Sequence, residues 1–280
     1  MPDSDTATIW PLTADLALIA ETIVAAGKRA LDAQASGVAS WSKSDQTPVS
    51  EADIAIDRFL HDRLLKARKG YGWVSEESTE RQADANAPSF FVDPIDGTRA
   101  FLADRDTWTV SIALVQAGKP IAAGVFNPRR DELYLAAAGD GATRNGLPIH
   151  VSKKQTLDGL CLAGGQGVYR AARQLSEMQR LPVYVGATSM AYRLCLVACG
   201  ACDATLSLSK KDSWDIAAGM LIVEEAGGLV TNLAGSVYNL ASSRTFGTTI
   251  GANRLLHAAL IARLSSDREA HGARDGAAAG

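Results

Sequence analysis

The sequence predicts a layered fold of mixed α and β structure rather than a pure Rossmann-type parallel sheet. Three observations carry this reading. Helical patterns come first, over residues 13–35 and from Ser50 onward. A meander of strand patterns follows between residues 108 and 137. Beyond residue 160, helix and strand patterns alternate.

Leu16, Ile19, Ile23 and Leu31 recur near a 3.6-residue period, which makes residues 13–35 a helix. Residues 41–48 are polar and irregular. Ser50 opens a second helix with Ile54, Phe59, Leu60 and Leu64 on one side. Residues 71–75 read as a strand that delivers Glu76 and Glu77 at its end, and residues 83–89 as a loop. Residues 90–93 read as a short buried strand that Pro94 cuts off, because proline cannot continue a central ladder. Residues 108–116 and 121–126 read as strands joined by a tight turn at Gly118-Lys119, and residues 132–137 continue the sheet. In the second half, residues 160–163, 203–209 and 248–251 have strand character. Residues 168–178, 190–198, 214–226 and 254–264 have helix character, the third stopped by Gly227-Gly228.

These elements fit one unit over residues 9–264, with halves 9–152 and 153–264. Residues 265–280 are charged, then rich in Ala and Gly, a composition that predicts a disordered tail. A formal net charge of −3 argues against a nucleic-acid polymer as partner. No apolar run approaches the ~20 residues of a membrane span. Four cysteines in 280 residues make no disulfide scaffold and suggest a reduced, cytoplasmic setting.

The chemistry concentrates in Asp93-Pro94-Ile95-Asp96-Gly97-Thr98. Two carboxylates three residues apart across a proline turn can converge on one point. Carboxylates that close repel unless a cation or proton lies between them, and an all-oxygen set suits Mg²⁺. Gly97 and Thr98 can offer backbone N–H groups to an anion at a helix start. In isolation the same stretch reads equally well as a strand-to-turn junction capped by Asp96. Glu76-Glu77, alone, reads as a solvated pair. Asp215, in Trp214-Asp215-Ile216-Ala217-Ala218-Gly219, reads as a first-turn acid that offsets a helix dipole. Ser50 and Asp53 have capping-box spacing, so Asp53 alone reads as a cap.

Taken together and in order, Pro48-Val49-Ser50-Glu51-Ala52-Asp53, Ser75-Glu76-Glu77-Ser78, Asp93-Pro94-Ile95-Asp96-Gly97-Thr98, Trp214-Asp215 and Glu225-Ala226-Gly227-Gly228 resemble the inositol monophosphatase family of Mg²⁺-dependent, lithium-sensitive phosphatases. The resemblance spans about residues 13–264. It implies an α/β/α/β/α sandwich, a homodimer, a small phosphorylated substrate, and two or three Mg²⁺ ions per active site. By the same resemblance, Glu77, Asp93 and the Ile95 carbonyl hold a first ion, and Asp93, Asp96 and Asp215 a second. Glu77, Thr98 and Asp53 form the catalytic set, the last two positioning or deprotonating the attacking water. Asp96, Gly97, Thr98, Ser189 and Arg193 contact substrate and phosphate. Attack is by metal-activated water, with no phosphoenzyme.

The substrate is read from departures within the family. Ala100 stands where inositol-preferring members usually carry Asn. Arg99, Phe101 and Arg193 lean instead toward bacterial 3'(2'),5'-bisphosphate nucleotidases, in which a basic side chain at the last place faces substrate phosphate. An Arg there can bind a second phosphate bidentately. The alternative for Arg193 is an ion-paired helix residue. Inositol-1-monophosphatase and histidinol-phosphate phosphatase stay open as alternatives. From a different class, Cys195, Cys199 and Cys202 have the spacing of an iron–sulfur radical enzyme, but the same spacing marks one apolar face of a helix. A non-catalytic binding module is disfavoured by the intact acidic set. Gly164-Gly165-Gln166-Gly167 lacks dinucleotide spacing and reads as a loop near the substrate.

Overall fold

Apolar side chains every three or four residues give the first helix, α1 (Leu12–Ser36), a single buried stripe of Ile19, Ile23, Ala26 and Ala30. The second, α2 (Glu51–Ala67), buries Ala52, Ile56, Leu60 and Leu64. Both belong to a computed structural model that describes residues 12–43, 47–80, 82–83, 87–165, 168 and 183–277. A two-stranded ribbon, Ser40–Ser42 against Pro48–Ser50, joins the two helices.

The two helices cover one face of a seven-stranded sheet. Its strands lie side by side in chain order: β1 (Gly72–Ser75), β2 (Ser89–Asp96), β3 (Thr109–Gln116), β4 (Lys119–Asn127), β5 (Glu132–Ala137), β6 (Ala142–Arg144) and β7 (Leu147–Pro148). Only β1 and β2 run parallel. Strand side chains alternate, so Phe90, Val92, Val110, Ile112 and Leu114 face α1 and α2, while Phe91, Ala113, Val115 and Val125 face the opposite core. Both faces are covered, which is why β3 reads as a nearly unbroken apolar run. The turn between β3 and β4 is Ala117-Gly118, one residue earlier than the sequence predicts. Both have positive φ, 49° and 75°, as a twisted two-residue hairpin requires.

One sequence-based boundary is corrected at Pro94. Strand β2 does not stop at Asp93 but runs to Asp96. Asp93 pairs with Ser111 and Asp96 with Thr109, so three steps on β2 match two on β3. The extra residue is a β-bulge, and it accommodates the proline. A short helix, α3 (Thr98–Leu102), follows directly.

The opposite core is filled by α4 (Met190–Ala198) and α5 (Ser213–Glu225). Helix α5 is apolar all round because it lies between two sheets. Its Gly219 lets α4 approach: a Cβ there would stand 2.5 Å from the Leu194 side chain. The second sheet contains β8 (Cys161–Gly164), β9 (Val183–Gly186), β10 (Ala204–Ser207), β11 (Gly228–Thr231) and β12 (Thr249–Asn253), in the order β9-β8-β10-β12-β11. Leu256 and Leu260 of α6 (Arg254–Ala277) close its outer side. The layers are therefore helix, sheet, helix, sheet, helix, the α/β/α/β/α sandwich expected.

Helix α6 carries helical backbone to Ala277, into the stretch whose composition predicts disorder. The helix expected over 168–178 lies, beyond Val168, outside the described residues.

Candidate active site

The bulge in β2 decides the site. Residues three apart on a regular strand point to opposite faces. The extra residue brings Asp93 and Asp96 onto the face shared by their partners Ser111 and Thr109. Asp215, on the third residue of α5, joins them from across the core. One carboxylate oxygen from each of Asp93, Asp96 and Asp215 lies within 4.8 Å of the other two. Among the described residues this is the one group of three or more such side chains able to hold a metal ion.

Each aspartate is fixed by its own element. Asp93 Oδ1 accepts from Ile95 N (3.1 Å). Asp96 Oδ2 accepts from Ser189 Oγ and from Ala191 N, both at 2.7 Å, so the N-terminus of α4 grips it. Asp215 Oδ2 accepts from Asp212 N (2.9 Å) in a capping box. Burial pushes Asp93 well above the usual carboxylate range, and the fields of Glu76, Asp96 and Asp215 push it further. Burial also raises Asp96 and lifts Asp215 to about 7. Buried carboxylates at this density call for a cation, and an oxygen-only donor set fits Mg²⁺.

Glu76 is the glutamate whose charge acts on this cluster, while Glu77 is the one expected in the metal set. In the parallel register Ser75 lies opposite Val92, and the Glu76 N–H still donates to Val92 O (3.3 Å). Glu76 is thus level with Asp93, just past the end of β1. The Glu76 charge acts on Asp93 and Asp215; Glu77 is subject to Glu76, Lys43 and Asp53. Lys43 was hidden in a stretch that reads as irregular. Its ammonium joins Glu76 Oε1 (2.8 Å) and Glu77 Oε1 (2.5 Å). Burial works to lower Lys43, but the two carboxylates outweigh it and hold its pKa above the ordinary value. Lys211 is a second cation missed by the sequence; its field tempers Asp96 and Asp215. Only the parallel register of β1 on β2 could have set Glu76 level with Asp93.

Asp53 does two jobs. Its Oδ2 accepts from Ser50 N (2.8 Å) and Ser50 Oγ (2.5 Å), closing the α2 cap, while its Oδ1 accepts from Thr98 Oγ1 (3.2 Å). Thr98 Oγ1 is also 3.2 Å from Ile95 O. Burial raises Asp53, although the Ser50 and Thr98 bonds offset part of the shift. Gly97 has φ +96°, and a Cβ there would meet Thr188 Oγ1 at 3.0 Å and Thr107 O at 3.3 Å. Glycine is therefore required both by the backbone and by the neighbours.

Ser189 and Arg193, both expected to contact substrate, are buried at the N-terminal end of α4. Ser189 is fully buried, caps α4 through Tyr192 N (2.9 Å), and shares a hydrogen bond with Thr109 Oγ1 (2.9 Å). Its hydroxyl positions Asp96. Arg193, buried on α4, donates from Nε to Ala187 O (2.6 Å) and from Nη2 to Thr188 O (3.3 Å). Burial lowers its pKa, against the opposing fields of Asp96, Tyr184 and Asp215. No carboxylate lies within ion-pair distance of Arg193 among the described residues. Cys195, Cys199 and Cys202 form no metal-binding group among the described residues, and all four cysteines are free thiols. The iron–sulfur reading has no support.

A layered sandwich with an aspartate triad at a strand bulge carries a site built to hold divalent cations, the equipment of a metal-dependent phosphatase. A profile of the inositol monophosphatase family matches residues 11–269. The chain belongs to the inositol monophosphatase family, whose cofactor is Mg²⁺. It is 34% identical over 196 residues to an inositol-1-monophosphatase of Rhizobium meliloti, covering 67% of this chain and 73% of that protein. It is 33% identical over 201 residues to the Nus factor SuhB of Xylella fastidiosa, covering 69% and 72%. The extragenic suppressor protein suhB of Bartonella henselae superposes with a TM-score of 0.79 at 29% identity, over 90% of this chain and 98% of that one. An inositol monophosphatase of Thermotoga maritima gives a TM-score of 0.79 at 25% identity, over 92% and 98%.

Proposed function

We propose that this phosphatase hydrolyses nucleoside 3'(2'),5'-bisphosphates, releasing inorganic phosphate and, from 3'-phosphoadenosine 5'-phosphate, AMP. The observation that carries this is Arg193: a buried guanidinium beside the acidic site, with carbonyl partners and no carboxylate partner among the described residues. A buried cation without an anionic partner is costly, and a second substrate phosphate supplies that partner.

Glu76, Asp93, Asp96, Asp215 and the Ile95 carbonyl would hold Mg²⁺. When bound, Mg²⁺ neutralises the crowded carboxylates and stabilises the charge that develops on the phosphoryl oxygens. With the Ile95 carbonyl committed, the Thr98 proton belongs to Asp53. A water donating to Thr98 Oγ1 then passes its proton there as the threonine proton moves to Asp53 Oδ1. Burial of Asp53 strengthens it as that acceptor. Gly97, whose backbone lies close to Thr107 and Thr188, and Thr98 line the phosphate.

Hydrolysis of inositol 1-phosphate is the second reading, favoured by the names of relatives such as the Rhizobium meliloti protein. A homodimer acting in the cytoplasm completes the proposal, the compartment supported by the free thiols and the dimer by the family resemblance alone; among the described residues no helix is long and apolar enough to cross a membrane. Phosphate release from 3'-phosphoadenosine 5'-phosphate and from inositol 1-phosphate, each with Mg²⁺ and with chelator, tests the proposal. Faster magnesium-dependent release from the bisphosphate is expected. A clear preference for inositol phosphate overturns it.

A further inference from the structure

Beside the phosphate site opens a cleft of about 660 Å³ whose lining includes Arg105, Thr107, Gly165, Tyr184, Ala187 and Thr188. It is continuous with the acidic site in two ways. Thr107 and Thr188, on its wall, are the residues that crowd Gly97. Arg193 is held by the carbonyls of Ala187 and Thr188, and its Nη2 lies 3.7 Å from where a Cβ on Gly165 would be. Charge on the rim is divided unequally. Arg129 pairs with Asp104 (3.3 Å) and Arg130 with Asp106 (2.7 Å). Arg105, exposed between them in sequence, has no carboxylate within ion-pair distance among the described residues. Its backbone N–H donates to Ala100 O (2.9 Å), which ties it to the middle of α3, whose N-cap is Gly97. One short rigid segment thus carries both the phosphate-site glycine and an uncommitted guanidinium.

We propose that Arg105 is a specificity residue that binds the second phosphate of a nucleoside bisphosphate in this cleft, with Tyr184 as the aromatic wall beside the base. This rests on the bisphosphate reading above and extends it. Arg193 offsets charge from beneath, between the acidic site and the cleft. Arg105 reaches the same group from the solvent side, where a flexible guanidinium can make a bidentate contact. A substrate lacking the second phosphate gains nothing from either.

The test compares 3'-phosphoadenosine 5'-phosphate with adenosine 3'-phosphate, as kcat/KM ratios with Mg²⁺. Wild type is expected to favour the bisphosphate. Arg105→Ala should lower that ratio about tenfold through KM, the scale of one charge-assisted hydrogen bond. Arg105→Lys should give an intermediate ratio, because charge is kept and the fork is lost. Added salt should erode the wild-type preference more than that of Arg105→Ala. Lys153→Ala, an exposed cation outside the cleft, is the control. A wild type that prefers the bisphosphate, with an unchanged ratio in Arg105→Ala, overturns the cleft assignment and spares the substrate reading. A wild type without that preference overturns both. Equal loss on both substrates with a change in solution mass would instead make the cleft an interface between copies.

Discussion

The two halves of the chain deliver carboxylates to the site by different physical means. The first half uses covalent proximity: Asp93 and Asp96 are neighbours in sequence, and one inserted residue in β2 turns them to the same side. The second half uses helix N-termini. Helix α5 supplies Asp215 from a capping box, and α4 supplies no carboxylate but grips Asp96 through Ser189 and the Ala191 N–H. The first arrangement is set by the pairing of β2 with its neighbour β3. The second depends on α4 and α5 being packed correctly against each other, so it should be more sensitive to core substitutions.

The largest effects are expected where charge itself is removed. Asp93→Asn and Asp215→Asn should each cut kcat by about 10²–10³-fold, the scale of losing one preorganised electrostatic group, with little change in folded structure. Glu76→Gln should fall in the same range and raise the Mg²⁺ concentration for half-maximal activity more than Glu77→Gln does. Equal metal dependence in the two glutamine variants would break the register argument. Ser189→Ala tests the grip of the second half on the first. It removes one charge-assisted bond to Asp96 and the α4 cap, and should lower kcat by roughly tenfold and stability by about 1 kcal/mol. Undiminished turnover, measured at saturating Mg²⁺, would show that α4 is dispensable for Asp96. Gly219→Ala sharpens the packing side of the comparison. The added methyl meets Leu194, so denaturant midpoints should report a loss of about 1–3 kcal/mol. Activity at low temperature should decline less, because no carboxylate is touched.

Much of the fold was legible in the chain. The meander from β3 to β5 and the helices α1, α2, α4 and α5 follow from periodicity and from Gly and Ser at their ends, because those signals are local. Pro94 misled for the same reason: locally it stops a ladder, yet a bulge with a bent register tolerates it. Strand β9 escaped because it is only four residues long and largely exposed, and the ribbon beside α2 because its three-residue strands resemble loops.

Residue types alone determined that this protein concentrates acids around a glycine turn, since carboxylates, proline and glycine carry their chemistry and their backbone limits wherever they stand; the order of the motifs, by resemblance, added the magnesium requirement. The tertiary structure decided which glutamate acts on the aspartates, that Lys43 bridges the pair, that Ser189 serves Asp96, and that Arg193 lies buried with no carboxylate in ion-pair distance among the described residues. Those facts depend on register and on which surfaces meet across the core, and such contacts are set by long-range packing that no window of sequence contains.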